Sequence, residues 1–119
     1  MEDRELLELA AKAAGEVGEY RTEEIHTSIG WEKISAIHRP DGDGWWNPLT
    51  DDGDALRLAV ALNLQVTPGT YRGDEASAFR AGYGEAHEYV HYQQDLAAAL
   101  RRAIVRVAAE IGKRSADPL

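Results

Sequence analysis

Leu6, Leu9, Ala10, Ala13 and Val17 recur at steps of three and four with Glu and Lys between them, the spacing of one face of an α-helix. Residues 3–17 are therefore predicted to form an amphipathic helix, closed by Gly15 and Gly18. From residue 19 to residue 38 the chain is rich in Tyr, Thr, Ile, Trp and Ser, with a turn signal at Ser28-Ile29-Gly30. That composition predicts two antiparallel strands, although the imperfect alternation leaves their register open. "RPDGDGWWNPL" then concentrates Asp, Gly and Pro, predicting a tight turn followed by an extended segment.

A second helix is predicted to follow, running to about Asn63. Thr50 and Asp51 are cap candidates, and Asp52 and Asp54 supply negative charge to its first turn. Leu56, Leu58, Ala59, Val60 and Leu62 cover most of its circumference, so it should pack against the sheet with Arg57 near the rim. Residues 65–71, broken by Pro68 and Gly69, predict an edge strand or bulged hairpin, and residues 72–83 carry no readable pattern. Asp95 is placed to cap a last helix, on which Leu96, Leu100, Ala103, Ile104, Val107 and Ile111 share a face. Gly112 is expected to end it, ahead of a short frayed tail at 115–119.

Residues 1–119 suffice for one domain with one core. The formal charge of −8, from 21 acidic and 13 basic residues, disfavours direct binding to nucleic acid, whose phosphates it would repel. An acidic surface could meet a basic patch on another protein, while keeping the chain soluble is the simpler use of the charge. The first residues lack the basic start and apolar centre of a signal peptide, and no apolar run approaches the roughly 20 residues that span a bilayer. A cytoplasmic protein with no membrane partner is the expectation. Absence of cysteine agrees with a reducing compartment and removes disulfides, thiolate metal sites and cysteine nucleophiles.

Three blocks carry a resemblance. "WNPLTDDGDALRLAV" at 46–60, "ELLELAAKAAG" at 5–15 and "RRAIVRVAAEIGK" at 101–113 together resemble the NinX-like family of small phage and prophage proteins of unknown function. They join a tryptophan loop, an acidic helix cap and a terminal helix in the family's order and cover about a third of the chain. The resemblance implies a phage or prophage origin, hence the cytoplasm of an infected bacterium, and an α+β domain with strands between the three helices. With the patterns above, the expected fold is a small antiparallel sheet of about four strands packed against N-terminal, central and C-terminal helices. No settled activity comes with the family. Residues 66–94 depart from its pattern.

That departing segment holds "AHEYVHY" at 86–92, which contains H-E-x-x-H. On a helix His87 and His91 would share a face and bind zinc, with Glu88 as general base and Glu110, nineteen residues after His91, as third ligand. On a strand the two histidines also share a face, but about 13 Å apart at ~3.3 Å per residue, too far for one ion. Tyr89, Val90 and Tyr92 favour the strand, as do Gly82 and Gly84 upstream, and Glu85 and Gln93 give the motif charged and polar flanks. In the family pattern, residues just before the last helix's capping acid are extended, which also places 87–92 on a strand. A zinc metallohydrolase is therefore the alternative reading, and the leading one assigns no catalytic residue, metal or cofactor.

Trp45 and Trp46 should point to opposite faces of an extended segment, so at most one is core. The other is a candidate anchor for a protein or a stacking platform for a planar ligand. Asn47, Asp51, Asp52 and Asp54 lie close by and could hydrogen-bond a ligand or coordinate a hard cation, although helix capping explains the acids more simply. "DGDG" at 41–44 reads as a hairpin turn, because it lacks the later ligands of a calcium loop. His26 and His38 are expected to face each other across the first hairpin. No phosphate-binding glycine loop or serine nucleophile elbow is present. The expected function is a phage-encoded accessory protein, a non-enzymatic binder or inhibitor of a host or defence component. Its partner would be a protein or a small nucleotide-like ligand; a structural or regulatory homodimer is a further alternative.

Overall fold

The computed structural model describes residues 1–40, 44–69, 75–89 and 95–115. Helix α1 (Asp3–Ala14) leads into strands β1 (Glu19–Thr27), β2 (Gly30–His38) and β3 (Trp45–Trp46). Helix α2 (Asp52–Ala61), strands β4 (Gln65–Thr67), β5 (Glu75–Arg80) and β6 (Gly84–Tyr89), and helix α3 (Leu96–Ser115) follow. The domain is α+β, as expected. The expectation of one sheet of about four strands is corrected: two three-stranded antiparallel sheets form, ordered β1-β2-β3 and β4-β5-β6.

The extra strands lie where the sequence pattern is weakest. β3 is two residues long, too short to show alternation. β5 falls in the unreadable segment, and its inward positions are Ala76 and Ala78, both fully buried, so it lacks the β-branched run that marks a strand. Small side chains there, with Ala86 on β6, let α3 approach the sheet closely. The three alanines lie on the sheet face that α3 covers.

α3 is the central beam, with Ala103, Ile104, Val105, Val107, Ala108 and Ala109 all buried. α1 packs along it through Leu6, Leu7 and Ala10, and α2 adds Leu58 and Ala59 to the same core cluster. Gly112 does not end α3, which continues to Ser115. It lies where the α1 backbone crosses the helix, and a Cβ on it would sit 1.9 Å from the Leu9 carbonyl oxygen. Close packing, not helix termination, is the reason for glycine there. α1 stops at Ala14, earlier than residue 17, because Gly15 takes a left-handed φ of 73° and its N–H bonds back into the last turn.

The β1–β2 register runs from Glu19↔His38 to Thr27↔Gly30. On the face shared with the core, Tyr20 pairs with Ile37 at the base, Thr22 with Ser35 further out, and His26 with Trp31 near the tip. Burial falls steadily along it, from Ile37 at 1 % exposure to Trp31 at 70 %. At ~3.3 Å per residue a nine-residue strand is about 30 Å long, so the outer half projects as an arm. His26 and His38 do not face each other: each sits on a tryptophan instead, His26 against Trp31 and His38 against Trp45. Part of the predicted 41–44 turn and the predicted tail, at 41–43 and 116–119, lies outside the described residues.

Candidate functional site

The tryptophan loop connects β2 to α2, and a small network fixes its shape. Trp46 is buried in the core at 3 % exposure, while Trp45 lies half-exposed on the other face with its ring 4.9 Å from the His38 ring, edge to face. The side chains therefore diverge, as strand alternation requires. Asn47 then clamps the loop: its side-chain N–H donates to the Ser35 carbonyl at 3.0 Å and its side-chain oxygen accepts from the Leu49 N–H at 2.9 Å. Its backbone N–H donates to Oδ2 of Asp54 at 3.0 Å.

Asp54 is the one buried charged residue among those described. Its other oxygen accepts from Arg57 at 2.8 Å, and its own N–H donates to the side chain of Asp51, which is the N-cap of α2. Asp52 stands apart, paired with Arg101 of α3, which also donates to the Leu49 carbonyl at 2.8 Å. Trp45, Asn47, Asp51 and Asp54 thus meet around a shallow groove of about 340 Å³ that also takes in Lys33 and Thr50. Asn47 and Asp54 spend their side-chain hydrogen bonds on holding β2 to α2. What the groove offers an incoming molecule is the half-exposed Trp45 ring with the Thr50 hydroxyl.

His87, Glu88 and Tyr89 of the H-E-x-x-H string lie on β6 (Gly84–Tyr89), and Val90 and His91 lie outside the described residues. Successive strand residues point to opposite faces. Glu88 turns toward α3 and takes a 2.7 Å bond from Arg106, whose Nη1 also donates to the His87 carbonyl at 2.9 Å. His87 turns outward, with Nδ1 3.0 Å from Glu75 and Nε2 3.2 Å from Glu85. Both ring nitrogens therefore lie beside carboxylates, and Glu88 is on the wrong face to activate a water bound at His87. Glu110, the third ligand of the zinc reading, is exposed on α3. Among the described residues no group of three or more His, Asp or Glu side chains could hold a metal ion.

Sequence reading missed the tip of the arm. Ile29 is 84 % exposed in the turn and Trp31 is 70 % exposed just after it. The His26 ring meets the Trp31 ring edge to face at 5.1 Å, which limits the tryptophan's rotamers without burying it. The available signal was two large apolar residues flanking Gly30, at a turn where polar residues are the rule.

Fold and surface together define a small α+β domain with a projecting aromatic-tipped hairpin and a tryptophan groove at the hairpin's base. No protein-family model, curated protein or solved structure matches the chain.

Proposed function

We propose that this chain is a non-enzymatic binding protein that docks on a protein partner through the tip of the β1–β2 arm. The observation that carries this reading is Trp31, held 70 % exposed at the end of a hairpin whose outer half lies beyond the core. Large apolar side chains grouped at a projecting tip raise the free energy of the isolated chain and lower it on association, and tryptophan is enriched among residues that dominate interfaces. The resemblance to the NinX-like family extends the proposal: a phage- or prophage-encoded accessory protein acting in the bacterial cytoplasm on a host or defence component.

The test is capture from host lysate with the wild type beside Trp31→Ala and Ile29→Asp, followed by titration of the captured protein. Trp31→Ala should weaken the complex by about 2 kcal/mol, roughly 30-fold in affinity. A partner bound equally well by both variants would move the function away from the arm. A second reading, a small nucleotide-like ligand, is favoured by the half-exposed Trp45 ring that lines the groove. Calorimetric titration with cyclic nucleotides checks it, and binding should then disappear in Trp45→Ala and survive in Trp31→Ala.

A further inference from the structure

The α2/β4 face leaves three large apolar side chains in solvent, Leu56 at 64 %, Val60 at 72 % and Val66 at 36 % exposure. Leu56 and Val60 are one helical turn apart, so they form a ridge along α2. Beside the ridge lies a groove of about 190 Å³ between α2, α3 and β4, walled by Leu56, Ala59, Val66, Leu100 and Ile104. β4 is also an edge strand of its sheet.

We propose that this face associates with a second copy of the chain across a two-fold axis, the Leu56–Val60 ridge of each copy entering the groove of the other. A two-fold contact requires one patch to hold both halves of the fit, and a ridge next to a groove on the same face meets that requirement. Charge selects the occupant. The chain carries −8 overall, so most approaches between two copies are repulsive. On this face the charges that line the groove are compensated within the chain, Asp52 pairing with Arg101. Among the described residues that line the groove, a strongly basic partner would find no unpaired acid to answer, whereas a second neutral apolar face fits. The surface is distinct from the arm and does not depend on it.

Sedimentation equilibrium of the full chain, from micromolar to millimolar concentration at low and high salt, tests the inference. The mass should rise toward twice the chain mass, at lower concentration in high salt, because salt screens the residual repulsion and leaves apolar contact intact. Leu56→Asp and Val60→Asp, both at exposed positions, should keep the circular-dichroism spectrum and raise the midpoint concentration about tenfold or more. Trp31→Ala should leave the midpoint unchanged. Since the chain has no cysteine, Val60→Cys chains mixed with Val66→Cys chains should cross-link into a disulfide dimer under mild oxidation, while Val60→Cys mixed with Glu24→Cys on the arm should not. A chain monomeric throughout, a dimer indifferent to Leu56→Asp and Val60→Asp, or one abolished by Trp31→Ala overturns the proposal.

Discussion

Asp54 is 6 % exposed, yet both of its oxygens are engaged, one by the Asn47 N–H and the other by Arg57. Replacing it by alanine removes an acceptor from a part-buried donor, which costs about 1–3 kcal/mol. Asp51→Ala, which removes the α2 N-cap, should cost about 1 kcal/mol. The two carboxylates share Arg57, at 3.8 Å from Asp51 and 2.8 Å from Asp54, so the double variant should lose less than the sum. Urea denaturation of the three variants checks the magnitudes and the coupling. Gly112 sets two effects against each other. In an open helix Gly→Ala would gain about 1 kcal/mol, but here the new Cβ would lie 1.9 Å from the Leu9 carbonyl oxygen. Backbone must move, and overpacking of this kind costs about 1–3 kcal/mol or more. Gly112→Ala should therefore lower the melting temperature, and a rise would mean that α1 can slide along α3 at little cost.

Among the elements, β6 carries the described part of the H-E-x-x-H string, and its two faces predict different behaviour. His87 sits in solvent between two exposed glutamates, so His87→Ala should change stability by no more than about 0.5 kcal/mol. Glu88 is 23 % exposed and tethers the strand to α3 through Arg106, so Glu88→Ala should cost about 1 kcal/mol in the same denaturation assay. Metal analysis of protein purified without a histidine tag should return no stoichiometric zinc for the wild type. One zinc per chain, lost in His87→Ala, would restore the hydrolase reading. The strand at this position was legible because tyrosine and valine in the segment and glycines ahead of it oppose a helix. The long helices and the first hairpin were equally legible from period and turn chemistry. β5 was not, because its inward positions are alanines whose reason is the closeness of α3, a fact about packing that no local window contains. The groove residues were legible as a cluster, while the use of Asn47 and Asp54 as a clamp depended on the β2 carbonyl that folding brings beside them. Trp31 is not legible as a tip residue, because only the register shows that the core ends near Ile37.

At the scale of the whole molecule, the stabilising contacts and the proposed binding contacts are separated along one hairpin. The base of the arm is core, with Ile37 at 1 % and Trp46 at 3 % exposure, and both belong to the cluster that joins α1, α2 and α3. The tip contributes nothing to that cluster. Ile37→Ala should therefore cost about 2–5 kcal/mol and reduce partner capture only as far as it unfolds the protein. Trp31→Ala should shift the unfolding free energy by no more than about 0.5 kcal/mol, the scale of an exposed substitution, while removing most of the capture. Stability and binding, measured on the same two variants, should thus be lost independently. A domain whose apolar tip served only folding would behave otherwise, with Trp31→Ala lowering both together. Such a result would mean that the tip is covered in solution by the chain itself, and the arm would then be a structural element instead of a docking one.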